Sequence, residues 1–240
     1  MTRFLTFFTL LFCLPAWSVA PPVAPGHLPA SPAASPPASF EIVGRIKPNS
    51  AGKALRPVEA QDAVIYFRPR TPVPLAVPEA PALMNTLRKQ FAPNALAIVA
   101  GASVEFPNGD PILHNAFSTS AGNEFDAGLY GQGEKEVVQF KRPGLVRVYC
   151  NVHHSMMAHI LVLDSPFFAK PDMQGRFALK NLPTGDGELF IWHERATLWR
   201  KAVTVDKNLQ FVVDLNLSKR RIPPHLNKFG KPYRRAGGGY

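Results

Sequence analysis

Sulfur and acid are scarce in this sequence. Of 240 residues only two are cysteine and five are methionine, and 17 acidic side chains face 27 lysines and arginines, a formal net charge of +10. Histidine is sparse too, at seven. The one long apolar run, Phe4 to Pro15, is too short to span a bilayer comfortably. Outside one cluster of metal-capable side chains there is no pair of residues placed for acid–base or nucleophilic work, so an enzyme is not expected. Proline, by contrast, is plentiful at 25 and unevenly placed.

The apolar run follows Arg3 and reads as the core of an export leader, with cleavage after Ser18 or after Ala20; an uncleaved anchor is the alternative. Residues 21–39 are rich in proline, alanine and serine, carry no charge and read as a semi-rigid tether. Export implies a periplasmic or secreted protein. It also changes the cysteine arithmetic. Cys13 leaves with the leader, so Cys150 stands alone and no intramolecular disulfide can form. Metal ligation explains such a thiol economically; an intermolecular disulfide or an inert buried side chain are the plainer readings.

From Phe40 onward the pattern is β. Phe40–Ile46, Ala63–Phe67, Ala95–Val99, Ser103–Phe106, Glu136–Phe140 and Leu145–Tyr149 read as strands. Arg176–Leu179, Glu188–Trp192, Lys201–Val205 and Gln210–Leu215 form a second group. Pro69–Pro81 must be irregular, and Ala82–Gln90 reads as one or two helical turns. The fold class expected is all-β, a sandwich or barrel with a second small β unit. From residue 219 to the end seven lysines and arginines occur with no acid, which predicts a mobile, solvated basic tail over residues 218–240, able to touch anionic surfaces. A nucleic-acid partner is not expected of an exported chain.

The cluster is Cys150-Asn151-Val152-His153-His154-Ser155-Met156-Met157-Ala158-His159, between a strand and an apolar run. Thiolate, thioether and imidazole together suit copper, and two imidazoles plus a thiolate with a weak axial thioether accommodate both of its common oxidation states. Cys150-x-x-His153-x-x-Met156 supplies three such ligands from one loop, and His114, 36 positions before the cysteine, is the best fourth. Met157 competes with Met156, but a strand resuming at Met157 would send the two side chains to opposite faces. His154 reads as rim and His159 as scaffold. His193 and Glu194 lack partner ligands at metal spacing and read as the polar end of a strand.

His114-Asn115 with Cys150-x-x-His153-x-x-Met156, flanked by Phe106-Pro107-Asn108 and Phe117-Ser118, resembles the type 1 copper motif of the cupredoxins, with a short ligand loop similar to that of amicyanin and shorter than that of plastocyanin. The resemblance covers about residues 91–163 and implies a Greek-key β-sandwich holding one copper ion, with Asn115 tying the two ligand segments together. Ala63–Tyr66 and Asp172-x-x-Gly175-Arg176-Phe177-x-Leu179-x-Asn181-Leu182-Pro183-x-Gly185 resemble carboxypeptidase-regulatory-like (transthyretin-like) modules. The whole is similar to exported chains called methylamine utilisation proteins. On that resemblance residues 40–70 and 165–217 form one module, split by the cupredoxin inserted within it; the simpler alternative gives residues 40–67 to the cupredoxin. The implied function is a monomeric electron carrier cycling between Cu(I) and Cu(II), serving a docked redox protein with an acidic face, such as a cytochrome. A copper-delivery protein, or a β module with a vestigial site, are the alternatives.

Overall fold

The computed structural model describes residues 39–233, so the leader, its cleavage sites and the tether up to residue 38 lie outside the described residues. Within them the chain is all-β, and its one helical element is the 3-10 turn Pro57–Ala60. Among the described residues no helix is long and apolar enough to cross a membrane.

Two groups of sheets each enclose a core. Residues 82–163 supply the first. A five-stranded sheet runs in the order Phe125–Tyr130, His114–Ser118, Gly144–Tyr149, Met157–Leu163, Ala95–Val99, and a three-stranded sheet in the order Lys135–Gln139, Ser103–Pro107, Ala82–Leu83. Alternation decides which side chains meet between them. Val146 and Val148 from one strand, Ala158, Ile160 and Val162 from the next, and Val104 and Phe106 from the smaller sheet point inward. Phe140 and Tyr130 complete that core, and Cys150 and Met156 sit within it.

Residues 40–69 and 167–217 supply the second group. Phe40–Ser50 lies between Arg176–Leu182, antiparallel, and Leu209–Asn216, parallel. The facing sheet runs Phe167–Ala169, Val64–Pro69, Gly185–Trp192, Trp199–Val205. Ile42, Ile46, Ile65, Phe67, Leu179, Leu189, Ile191 and Val213 fill the space between. Phe40–Ser50 and Val64–Pro69 make no strand pairing with residues 82–163. A third, smaller cluster of Val64, Tyr66, Leu161, Leu163 and Phe190 joins the two groups, and Tyr66 stacks on Phe190 at 4.7 Å.

The one or two helical turns expected over Ala82–Gln90 are absent. This segment instead gives Ala82–Leu83 and a tight hairpin of Asn85–Leu87 with Gln90–Ala92. Its turn residues Arg88 and Lys89 have φ of 54° and 56°, a conformation that side chains with a Cβ resist. A distant carboxylate holds them there, described below, and local propensity carries no trace of it. Strands Phe125–Tyr130 and Phe167–Ala169 were also unmarked. The first is broken by a bulge between Asp126 and Leu129, which interrupts its alternation.

Candidate metal centre

Strand Gly144–Tyr149 delivers Cys150 to the end of the first core, and strand Met157–Leu163 starts directly after the loop, with Tyr149 opposite Met157. The loop between closes on itself. Met156 N–H donates to His153 O at 3.0 Å, and Cys150 N–H donates to Met156 O at 3.3 Å. Cys150 is wholly buried. His114 opens the neighbouring strand His114–Ser118 and is also wholly buried. Its Nδ1 lies 3.9 Å from Cys150 Sγ, and His153 Nδ1 lies 3.8 Å from the same sulfur. One ligand atom from each of the three side chains lies within 4.8 Å of the other two. Nitrogen and sulfur ligands about 2.0–2.3 Å from one ion stand roughly 3.5–3.8 Å apart at trigonal or tetrahedral angles. The sulfur–nitrogen separations here are close to that spacing, and this donor set is the one soft, borderline metals take.

The imidazoles are prepared as lone-pair donors. His114 Nε2 lies 2.9 Å from Asp110 Oδ2, so its N–H is directed there and Nδ1 is left free toward the sulfur. Asp110 also accepts the backbone N–H groups of Lys89, at 2.8 Å, and Arg88, at 2.6 Å. Those two donors, chiefly Lys89, and His114 hold the Asp110 carboxyl below the usual carboxylate range. It therefore stays ionised, orients the ligand and clamps the Arg88–Lys89 turn at the same time. Burial, reinforced by the His114 ring and the Lys89 ammonium, lowers His153, which favours the neutral ring that a metal needs.

Asn115 ties the two ligand segments. Its Oδ1 accepts Asn151 N–H at 3.2 Å, next to Cys150, while its Nδ2 donates to Asp126 Oδ1 at 2.8 Å and to Gly128 O at 2.6 Å. Gly128 has φ of 75° inside the bulge, a left-handed conformation that turns its carbonyl toward Asn115 and favours glycine.

Met156 is 1% exposed and packs in the same core as Cys150, whereas Met157 is half-buried and lines a groove beside His159 and Trp192. His154 is exposed and stacks on His225. His159 is buried, 3.6 Å from Glu194 and edge-on to Trp192. His193 is buried with both nitrogens engaged: Nε2 donates to Glu59 O, and Nδ1 accepts Arg195 N–H. Asp110 carries no motif of its own in the sequence; its place four residues before His114 is its one local signal.

No family model matches the sequence, and no curated protein matches it. Similar solved structures include a copper-containing nitrite reductase from Thermus scotoductus SA-01, 26% identical over 39% of this chain and 25% of that one, with a TM-score of 0.34. A purple cupredoxin from Nitrosopumilus maritimus is 20% identical over 34% of this chain and 99% of its own, TM-score 0.32. A substituted amicyanin in its reduced state is 14% identical over 41% of this chain and 99% of its own, TM-score 0.34. The chain thus spans a quarter of the reductase. These neighbours are cupredoxins or copper proteins, and the likeness covers less than half of this chain.

Proposed function

We propose that the protein is an exported electron carrier in which His114, Cys150, His153 and Met156 would hold one type 1 copper ion. The observation that carries this reading is the convergence of His114 Nδ1 and His153 Nδ1 on Cys150 Sγ at 3.9 and 3.8 Å. Copper bound there supplies a one-electron Cu(I)/Cu(II) couple. Cys150 contributes a sulfur shielded from water, and Asp110 keeps His114 in one tautomer. The loop is braced by its own backbone bonds and by Asn115, which would limit movement of its ligands. That bracing favours a carrier over a delivery protein, whose loop would have to open.

His153 is the half-buried ligand and faces the rim. Leu113 and Val152, next to the two histidine ligands, are each about half exposed, at 54% and 48%, and offer an apolar surface for a redox partner. Lys89 lies close enough to His153 to lower it, and with the net charge of +10 this suits a partner with an acidic face, such as a cytochrome. On this reading residues 91–163 are the cupredoxin, set into a carboxypeptidase-regulatory-like module of residues 40–70 and 165–217; the separate pairing of Phe40–Ser50 and Val64–Pro69 supports the insertion. The chain works as a monomer in the periplasm or outside the cell.

The test is an absorption spectrum of the copper-loaded protein. An intense visible Cu(II)–thiolate band, lost in Cys150→Ser, is expected. Copper bound stoichiometrically without that band would defeat the reading.

A further inference from the structure

Where the sequence reads as a solvated tail, the structure has Ser218–Tyr233 running along the first β group and across the ligand loop. Lys228 sits at the crossing. Its backbone N–H donates to Asn151 Oδ1 at 3.1 Å, and its ammonium lies 2.7 Å from Asp126 Oδ2. Both partners are the residues that Asn115 joins: Asn115 holds Asp126 through its amide N–H and Asn151 through its carbonyl oxygen. Lys228 therefore closes a ring of contacts around Asn115. Two residues C-terminal to the strap's turn, Tyr233 donates its O–H to Cys150 O at 2.9 Å. The turn that presents both residues is locked by Asn227, whose Oδ1 accepts Phe229 N–H and Lys231 N–H, each at 3.0 Å. His225 lies flat on Tyr149 at 4.1 Å, between it and His154 at 4.8 Å, and Tyr233 meets both histidines edge-on.

We propose that Ser218–Tyr233 is a strap of positioning residues for the metal loop, in which Tyr233 holds the carbonyl of the Cys150–Asn151 peptide and Lys228 holds the Asn151 side chain and Asp126. The inference rests on the ligand assignment above, and extends it to two residues more than seventy positions further along the chain. The physical reasons are direct. A hydrogen bond to Cys150 O restrains the peptide that carries the thiol. A phenol keeps its proton at working pH, so the Tyr233 O–H is a standing donor to that carbonyl. The Lys228–Asp126 pair is partly sheltered, with the lysine side chain 20% exposed, and it braces the carboxylate that in turn braces Asn115. Groups of this kind, one shell out from a metal, set ligand orientation and affinity without touching the ion. The strap also brings a basic segment to the edge of the loop, with Lys231 and Phe229 exposed beside it.

The experiment uses the full chain and three variants, Tyr233→Phe, Lys228→Met and the two combined, with Lys207→Met, on an exposed turn far from the network in sequence, as a control. The first readout is amide hydrogen exchange of the copper-free proteins. Exchange at Cys150, Asn151 and Met156, the loop amides that donate hydrogen bonds, should quicken about threefold to tenfold in the double variant, in line with one lost hydrogen bond and one lost pair, while Ile160 in the core strand keeps its wild-type protection. The second readout is copper. Affinity should fall about tenfold in the double variant with a shift in the visible band, and Lys228→Arg, which retains the charge pair, should recover most of the loss due to Lys228→Met. Loop exchange unchanged in the double variant overturns the strap. So does wild-type copper affinity with an unshifted band in that variant. A wild-type protein that binds copper without the band defeats the type 1 reading, and the exchange measurement still decides the strap on its own.

Discussion

Two buried histidines, one in each β core, have opposite chemistry. His114 in the first core and His193 in the second are both nearly inaccessible, at 0% and 2%. His193 spends both ring nitrogens on the backbone, one on Glu59 O and one on Arg195 N–H, and so joins the 3-10 turn to the end of strand Gly185–Trp192. Arg195 adds a salt bridge to Glu59 at 2.7 Å across the same junction. His114 spends only Nε2, on a carboxylate, and leaves Nδ1 facing a buried thiol. Burial alone does not distinguish a ligand from a strut. What distinguishes them is whether the ring has a nitrogen left over and what that nitrogen faces.

The comparison is open to attack. The largest effect is expected from Asp110→Asn. An amide offers one acceptor where three donors converge, and turns its own N–H toward one of them. Copper affinity should drop about 10–100-fold, and the Arg88–Lys89 turn should loosen, visible as faster amide exchange at those two residues. Copper affinity unchanged within twofold would mean that Asp110 serves the hairpin alone.

His193→Ala should show the opposite pattern. It strands Glu59 O and Arg195 N–H in a buried site, at a cost of about 1–3 kcal/mol by denaturant titration. The copper affinity and spectrum should stay as in the wild type. A shifted visible band in this variant would mean that the two cores are coupled.

A smaller effect is read through pH. His193 and His159 are both lowered, chiefly by burial. A depressed histidine takes up a proton more readily in the unfolded chain, whose value is about 6.5. Stability of the copper-free protein is therefore full above that pH and is lost as pH falls from there through the depressed folded values. The slope should flatten when His193 is replaced by Ala, because one of the contributing groups is gone. A slope unaltered by that replacement would remove His193 from the account.

Much of this architecture was legible beforehand, and the particular failures are informative. Ala95–Val99 was read from its apolar run with the bounds it has in the structure, and Ser103–Pro107 and Gly144–Tyr149 to within a residue. Their side chains alternate or run apolar because one or both faces are buried, and that pattern is local. The hairpin Asn85–Ala92 was read as helical because its turn depends on Asp110, more than twenty residues away. Strand Phe125–Tyr130 was passed over because its bulge serves Asn115, and the alternation that would mark it is interrupted there. The tail was read as solvated from its charge, which is a fair inference for lysine and arginine; the anchors Tyr233 and His225 give no signal until Cys150 and Tyr149 are placed beneath them.

The β character, the two apolar groups of strands and the local run of Cys150, His153 and Met156 are written in the chain. These depend on side-chain alternation and on spacings of three within one loop, which chain geometry converts directly into position. Which residues from far along the chain meet that loop follows from packing alone. Asp110 holding the Arg88–Lys89 turn, and Lys228 with Tyr233 meeting Asn151 and Cys150, are hydrogen bonds between segments whose sequences carry no mark of one another. Their partners are chosen by how the sheets pack, because a buried polar group takes whichever complementary group the fold brings within 3 Å of it.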